Sequence, residues 1–130
     1  MLSLIDPAAM HAALPTLAPL PRHRVEDILN SQLADITHVL IIEPDDTEAD
    51  IVAEIGFSPL ELERLQFGDS GLEPAWDVLH DHGGWFELAF CVGNSGFAFV
   101  LLVEDHEPPT PLVRLCRTHS RLVLGHPSNR

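Results

Sequence analysis

The sequence contains no lysine, so its seven basic residues are all arginines, and 20 acidic residues outnumber them to give a formal net charge of -13. A surface this acidic repels phosphate backbones and anionic membranes, so we expect neither nucleic acid nor a membrane as a partner. Only a cluster of Arg114, Arg117 and Arg121 near the C-terminus could oppose this expectation. The acidity itself fits solubility, a basic protein partner, mimicry of nucleic acid, or carboxylates gathered around a cation.

Long apolar runs and cysteines are also scarce. No stretch reaches the roughly 18 consecutive apolar residues that a membrane-spanning helix needs. The apolar residues near the N-terminus, Met1, Leu2, Leu4 and Ile5, are interrupted by Asp6 and Pro7, so no signal peptide is predicted. Cys91 and Cys116 each lie among apolar neighbours, which favours two buried free thiols in a reducing compartment over a disulfide. We therefore expect a cytoplasmic protein.

The common motifs of catalysis and cofactor binding are missing as well. The sequence has no glycine-rich phosphate loop, no nucleophile elbow, no paired CxxC and no HExxH. Its few aromatic residues stand in apolar runs, which argues against a base-stacking platform. The expected cofactor is therefore none, with a divalent metal ion as the alternative considered below.

A chain of 130 residues that is 45% hydrophobic suits one globular domain, over 1–130. The pattern predicts an α+β fold, in which a small and mainly antiparallel sheet is packed on one face by several short helices. The three predicted strands are 36–43, 85–92 and 97–104. Residues 1–21 are predicted to form an Ala/Pro-rich N-terminal arm, and 125–130 a loose tail.

Helices are predicted from apolar spacing together with N-caps and first-turn prolines. The predicted helices follow Asp6, span 22–35, follow Asp46 or Thr47, follow Ser58, span 74–83 and follow Thr110. Of these, the segment 74–83 is read as a helix because Pro74 suits its first turn and Gly83 suits its end.

The strongest structural signal is the hairpin formed by the second and third predicted strands. The turn Gly93-Asn94-Ser95-Gly96 suits a two-residue hairpin loop. This turn fixes a register in which every pair on one face is apolar: Val92 with Phe97, Phe90 with Phe99, Leu88 with Leu101, and Phe86 with Val103. The opposite face is smaller and semi-apolar, so we expect the N-terminal arm or a second copy of the chain to cover it. A homodimer through that face follows as a prediction.

The same register brings two polar triplets, 80–82 and 104–106, to the open end of the hairpin. Imidazoles with carboxylates suit Zn, Mn, Fe or Ni, and the same groups could serve as an oriented acid–base pair. The candidate metal ligands are His80, His82, His106, Glu104 and Asp105. Two facts favour ordinary loop residues instead: a histidine is favoured at a helix C-terminus, and the side chains of a His-x-His pair diverge on a helix.

Two further histidines stand in places that carry little functional signal. Cys116 and His119 are three residues apart on a predicted helix and could form a thiolate–imidazole pair, but a core cysteine beside a boundary histidine explains the same spacing. His38 lies within an apolar strand, where a satisfied core or dimer-face histidine is favoured over a ligand.

These observations leave three functional hypotheses. The first is a non-enzymatic protein-interaction or regulatory module, which is acidic and dimeric. The second is a small metal-dependent or acid–base enzyme that uses the His/acid cluster at the hairpin's open end. The third is a small-molecule-binding domain with a cavity of a few hundred Å³ between sheet and helices.

Overall fold

The computed structural model describes residues 1–56, 58–61, 75–91 and 98–124. Within them the protein is α+β, with one mixed five-stranded sheet in the order β1-β2-β5-β4-β3. The strands are β1 (Leu2–Leu4), β2 (Thr37–Ile42), β3 (Ala75–Asp81), β4 (Trp85–Cys91) and β5 (Ala98–Glu104). The α-helices are α1 (Pro7–Ala13), α2 (Pro19–Asn30), α3 (Glu48–Ile55) and α4 (Pro111–Leu124), with 3-10 turns at Leu14–Thr16 and Ala34–Ile36.

The sheet is larger than the three strands predicted from the sequence. β1 pairs antiparallel with β2, and β3 pairs antiparallel with β4, so a strand is added at each end of the predicted set. β2 runs parallel to its neighbour β5, with Ile42 beside Val103. The end of β2 therefore lies at the same end of the sheet as the end of β5.

The predicted helix over 74–83 is wrong, because β3 occupies most of that segment. Its register shifts between Trp76 and Val78, which is the signature of a β-bulge and which hides the two-residue period of a strand. Gly83, interpreted as a helix end, is instead a hairpin turn residue together with Gly84, and the two have φ of 79° and 107°. Pairing with β4 therefore decided the conformation of a segment whose local signals suggested a helix.

The predicted register of the β4–β5 hairpin is confirmed where both strands are described. Phe86 pairs with Val103, Leu88 with Leu101, and Phe90 with Phe99. The rings of Phe90 and Phe99 stack with centroids 5.4 Å apart. The pair Val92 and Phe97 and the turn 93–96 lie outside the described residues.

The Phe-rich face of the sheet is covered by α3 and α4. Two residues of α3, Ile51 and Ile55, pack into this layer beside Leu40 and Ile42 of β2. On this side α4 buries Leu112, Val113, Leu115 and Cys116.

Helices also cover the second face of the sheet, so the prediction of helices on one face only is wrong. Met10 of α1, Val25 of α2 and Leu17 between them pack against Val39 and Leu102. The region that was predicted to be an arm therefore contributes a strand and part of a helical layer. A dimer through this face would have to displace that layer, so the predicted homodimer would need another surface.

Several helix ends follow the predicted chemistry. The side chain of Asp6 accepts a hydrogen bond from the Ala9 backbone N–H at 2.8 Å. Thr47 and Asp50 form a capping box at the start of α3, and Ser58 and Glu61 form another. α2 begins at Pro19 rather than at the predicted residue 22, because a proline fits the first turn of a helix.

Other predictions fall outside the described residues, namely the loop 68–73, most of the helix after Ser58 and the tail 125–130.

In the parts of the chain that the structure describes, no helix has the length and apolar character to cross a bilayer.

Candidate functional site

One group of three metal-ligand side chains converges on the second face of the sheet. His80 on β3 and Glu87 on β4 are direct cross-strand partners, and His82 follows two residues after His80. One ligand atom from each of the three residues lies within 4.8 Å of the other two. Because 75–81 is a strand, His80 and His82 point to the same side, which removes the objection that they would diverge on a helix.

The turn that follows β3 fixes the position of His82. The backbone N–H of His82 donates to the carbonyl oxygen of Trp85 at 2.8 Å, and the Asp81 carboxylate accepts from the backbone N–H of Gly83 at 2.8 Å. The rings of His80 and His82 meet edge to face, with centroids 5.8 Å apart. The two imidazoles are thus positioned by backbone geometry rather than by free rotation of a loop.

Glu87 is the buried centre of this group, with its side chain only 6% exposed. Arg24 of α2 donates through Nε to Oε1 at 2.8 Å and through a terminal nitrogen to Oε2 at 3.0 Å. His82 Nε2 lies 2.9 Å from the same Oε1. An ionised carboxylate only accepts hydrogen bonds, so His82 Nε2 carries the proton in this arrangement.

The electrostatics of the group keep Glu87 ionised. Burial alone raises the pKa of this carboxyl, but the hydrogen bonds from Arg24 and His82 outweigh it and hold the pKa below its usual range. The hydrogen bond to Glu87 in turn raises the pKa of Arg24, which also donates to Asp27 at 2.7 Å. A buried negative charge is thereby matched by a fixed positive one.

The five candidate ligands predicted from the sequence are divided among different contacts. Among the described residues, Glu104, Asp105 and His106 belong to no group of three ligand side chains. Arg117 of α4 donates to the Asp105 carboxylate at 2.8 Å and to the His106 carbonyl oxygen at 3.0 Å. Asp105 and His106 therefore anchor α4 to the end of β5 and lie outside the group of His80, His82 and Glu87.

Arg114 and Arg117 do not form the basic patch that their sequence spacing allowed. Arg117 pairs with Asp105 and with Glu107, and Arg114 donates to the carbonyl oxygen of Pro109 at 3.1 Å. These contacts tie the two arginines to their own end of the chain.

Glu104 lies instead in a cavity of about 510 Å³ between the sheet and the start of α2. The cavity is lined by Met1, Leu2, Thr16, Leu17, Ala18, Pro21, Ile41, Glu43, Trp85 and Glu104. Trp85 and Glu104 are cross-strand partners, and Glu43 comes directly after Ile42, whose partner is Val103. Glu43, Glu104 and Trp85 therefore form one row across three adjacent strands.

The two carboxylates of this row differ in their surroundings, because the Met1 ammonium lies near enough to Glu43 to interact with its charge. Within the described residues, neither the Glu43 nor the Glu104 side chain has a hydrogen bond or ion pair. Met1, which also lines the cavity, commits its ammonium group to Asp46 at 2.6 Å. The cavity thus combines an aromatic ring, apolar walls and two carboxylates that no side chain among the described residues binds directly.

A third polar group, which the sequence did not predict as a unit, joins β1, β2 and α3. Ser3 Oγ donates to the Glu54 carboxylate at 2.9 Å and lies 2.6 Å from His38 Nε2. The hydroxyl proton is directed to Glu54, so the His38 ring is the donor toward Ser3 rather than a base that activates it. His38 also lies 5.0 Å from the Phe99 ring, between centroids. These hydrogen bonds therefore link three structural elements, and their donors and acceptors do not follow the Ser-His-Asp order of a hydrolase triad.

Cys116 does not have the character of a nucleophile. It is fully buried, and that burial raises the pKa of its thiol well above the usual range. His119 is 7% exposed on the same helix. The thiolate, which is the reactive form of cysteine, is therefore suppressed at this position.

Sequence reasoning missed Glu87 and Arg24 as members of a site. Glu87 had a signal, since a lone acid between apolar residues in a strand needs a buried partner. Arg24 had none, because it lies 63 residues away from Glu87 in the chain.

Comparison of the chain with protein-family models, curated proteins and solved structures found no match.

Proposed function

We propose that this chain is a non-enzymatic interaction module that binds a basic side chain of a protein partner. The observation that carries the proposal is the row of Glu43, Glu104 and Trp85 in the cavity beside α2. Two carboxylates that make no hydrogen bond or ion pair with another described side chain lie next to an indole ring, and together they form a site for a guanidinium or ammonium group. The indole face attracts the cation, and the carboxylates accept its hydrogen bonds.

The apolar walls of the cavity support a long basic side chain rather than a bare ion. Leu2, Leu17 and Ile41 line the same space as the two acids. Lysine and arginine bury their methylene stems on such surfaces while the charged end reaches polar groups. Arginine fits best, because its planar fork can stack on Trp85 and still bond to a carboxylate.

The positive charges near the cavity do not cancel the two carboxylates. The N-terminus of α2 begins at Pro19 beside the cavity and contributes about half a unit of positive charge. The Met1 ammonium is paired with Asp46 and also attracts the charge of Glu43, so it offsets only part of the negative charge here. The negative charges of the two carboxylates exceed the roughly half unit of positive charge from the helix, so the site remains net negative.

The wider surface favours the same kind of partner. The segment from the end of β2 through α3 exposes Glu43, Asp45, Glu48, Asp50 and Glu54, with no basic residue among them. A net charge of -13 raises the encounter rate with a basic surface, and salt weakens that effect.

A small organic cation is the second candidate for the same cavity. The volume of about 510 Å³ lies within the range of small-molecule sites. This alternative matches the predicted cavity between sheet and helices, and it needs no protein partner.

The test compares an arginine-rich peptide with agmatine, a free guanidinium compound, by calorimetric titration against the full chain. The Glu43→Gln/Glu104→Gln variant should bind the peptide at least tenfold more weakly, a difference of about 1.4 kcal/mol. Glu26→Gln/Asp35→Asn removes the same charge at exposed positions outside the cavity and outside this acidic segment, and should retain most of the affinity.

Each outcome has a defined meaning. Equal losses in the two double variants would show that net charge alone attracts the peptide, and the cavity proposal would fail. One-to-one binding of agmatine as tight as that of the peptide would favour the small-molecule alternative.

A further inference from the structure

We infer that His80, His82 and Glu87 form a binding site for one first-row divalent transition-metal ion of the Zn²⁺ class. The site is separate from the cavity beside Trp85 and does not depend on the proposed binding of a basic partner. The site differs from a cluster of acidic residues, because two of its three donors are imidazole nitrogens.

The backbone supports this placement. His80 and Glu87 face each other across β3 and β4, and the Gly83–Gly84 turn returns the chain so that His82 lies beside them. Two ligands at i and i+2 on a strand, with a third on the neighbouring strand, form a compact triangle on one face. Such a site is built on strands and a tight turn, and so it is held more rigidly than one on a long loop.

The distances are close to those of a coordinated ion. Metal–ligand bonds of about 2.0–2.1 Å in a tetrahedral site put neighbouring ligand atoms about 3.4 Å apart. The three donors already lie within 4.8 Å of one another, and His82 Nε2 lies 2.9 Å from Glu87 Oε1. Small side-chain rotations therefore close the triangle without movement of the strands.

Arg24 is compatible with an ion on the same carboxylate. Each carboxylate oxygen offers two lone pairs, so Oε1 can keep its bond from Arg24 Nε and use the pair now facing His82 for the ion. A tautomer shift that moves the His82 proton from Nε2 to Nδ1 frees Nε2 as a ligand. Arg24 then acts as an outer partner that orients the carboxylate, as the neighbours of metal ligands commonly do.

The donor set selects the kind of ion. Two neutral imidazoles and one carboxylate suit Zn²⁺, Co²⁺ or Ni²⁺, whereas Mg²⁺ and Ca²⁺ prefer oxygen ligands. The His82 side chain is 25% exposed and Glu87 is 6% exposed, so the ion would enter from the histidine side. On that side a water molecule would fill the fourth coordination position, and this position could exchange with solvent.

The experiment is a titration of chelator-treated full-length protein with Zn²⁺, Co²⁺ and Mg²⁺, by calorimetry and by the visible absorption of Co²⁺. We expect one Zn²⁺ or Co²⁺ per chain and no Mg²⁺. His80→Ala and His82→Ala should each weaken Zn²⁺ binding at least tenfold. His106→Ala is the matched control, because this histidine lies at the same end of the hairpin yet outside the triangle, and it should leave the affinity unchanged.

A second His82 variant separates coordination from folding. His82→Gln keeps an N–H donor for Glu87 but removes the imidazole, so it should fold like the wild type and still lose the ion. Binding weaker than 1 mM in the wild type, or an equal loss in His106→Ala, would overturn the inference. The Glu43→Gln/Glu104→Gln variant should bind Zn²⁺ normally, so failure of either proposal is recognised independently of the other.

Discussion

Arg24 of α2 and Glu87 of β4 form a two-hydrogen-bond fork that joins a surface helix to the middle of the sheet, 63 residues away in sequence. The helix layer on the second face is therefore attached by one ion pair as well as by apolar packing through Val25 and Met10. Removal of the cation would leave an ionised carboxylate that is 6% exposed. The fork is the point at which the N-terminal region and the candidate metal ligands meet.

Arg24→Ala should lower the free energy of unfolding by about 3 kcal/mol, because it leaves the buried Glu87 charge without a partner. Urea denaturation followed by circular dichroism measures the change. Asp27→Asn, which removes the exposed second partner of Arg24, is the control and should cost less than about 1 kcal/mol. Adding Glu87→Gln to Arg24→Ala should recover part of the loss, and a full additive loss would contradict a coupled pair.

Glu87 should make the protein less stable in acid. Burial tends to raise the pKa of this carboxyl, but the hydrogen bonds of Arg24 and His82 lower it below the value in the unfolded chain. The unfolded state therefore takes up the proton first as the pH falls. The stabilisation is complete above the ordinary value of about 4.3 and disappears as the pH falls through the lower folded-state pKa. Unfolding free energies measured over this range should depend less on pH in Glu87→Gln, and parallel curves would contradict the assignment.

His38 should add a second acid-sensitive step at higher pH. Burial lowers the pKa of this imidazole, although the nearby Glu54 carboxylate works in the opposite direction. The folded state then binds fewer protons, so stability is complete above the ordinary histidine value of about 6.5 and falls as the pH drops toward the folded-state pKa. His38→Gln should flatten this part of the stability curve. His23→Gln, at an exposed position on α2, should not.

The parts of the fold that the sequence predicted are those with redundant local signals. The β4–β5 register followed from a chain of apolar pairs such as Phe90 with Phe99, because a shift by one residue would have mixed the two faces. The start of α3 followed from a capping residue, Asp46 or Thr47, ahead of apolar residues at helical spacing; the structure selects Thr47 and adds the reciprocal bond of Asp50. In both places several residues specify the same geometry.

The parts that the sequence did not predict depend on which segments pair with one another in the sheet. β3 contains a β-bulge, and in the sequence Pro74 before it and Gly83 after it resemble the boundaries of a helix. Only its pairing with β4 therefore identifies it as a strand. β1 is three residues long and joins β2 from far away in the chain. The candidate site shares this dependence, since His80 faces Glu87 only once β3 is a strand.

Cys116 should be unreactive in the folded protein. Burial raises the pKa of its thiol, and the charges of Asp105 and Asp81 add to the shift. In a Cys91→Ser background, a chromogenic disulfide reagent should modify Cys116 at least 100-fold more slowly in buffer than in denaturant. Rapid modification of the native protein would revive the hypothesis of a Cys116–His119 nucleophile.

Gly83→Ala should couple the stability of the turn to the metal site. Gly83 has φ of 79°, which an L-residue with a Cβ adopts only at a cost, and no atom lies within 4 Å of a Cβ built there. The cost of about 1 kcal/mol therefore comes from the backbone alone. Because the turn positions His82 through its bond to Trp85, Zn²⁺ affinity should fall together with thermal stability. Gly56→Ala, with φ of 84° at the end of α3, should cost similar stability but leave Zn²⁺ binding unchanged. Equal Zn²⁺ affinities in the two variants would mean that the turn does not position His82 for the ion.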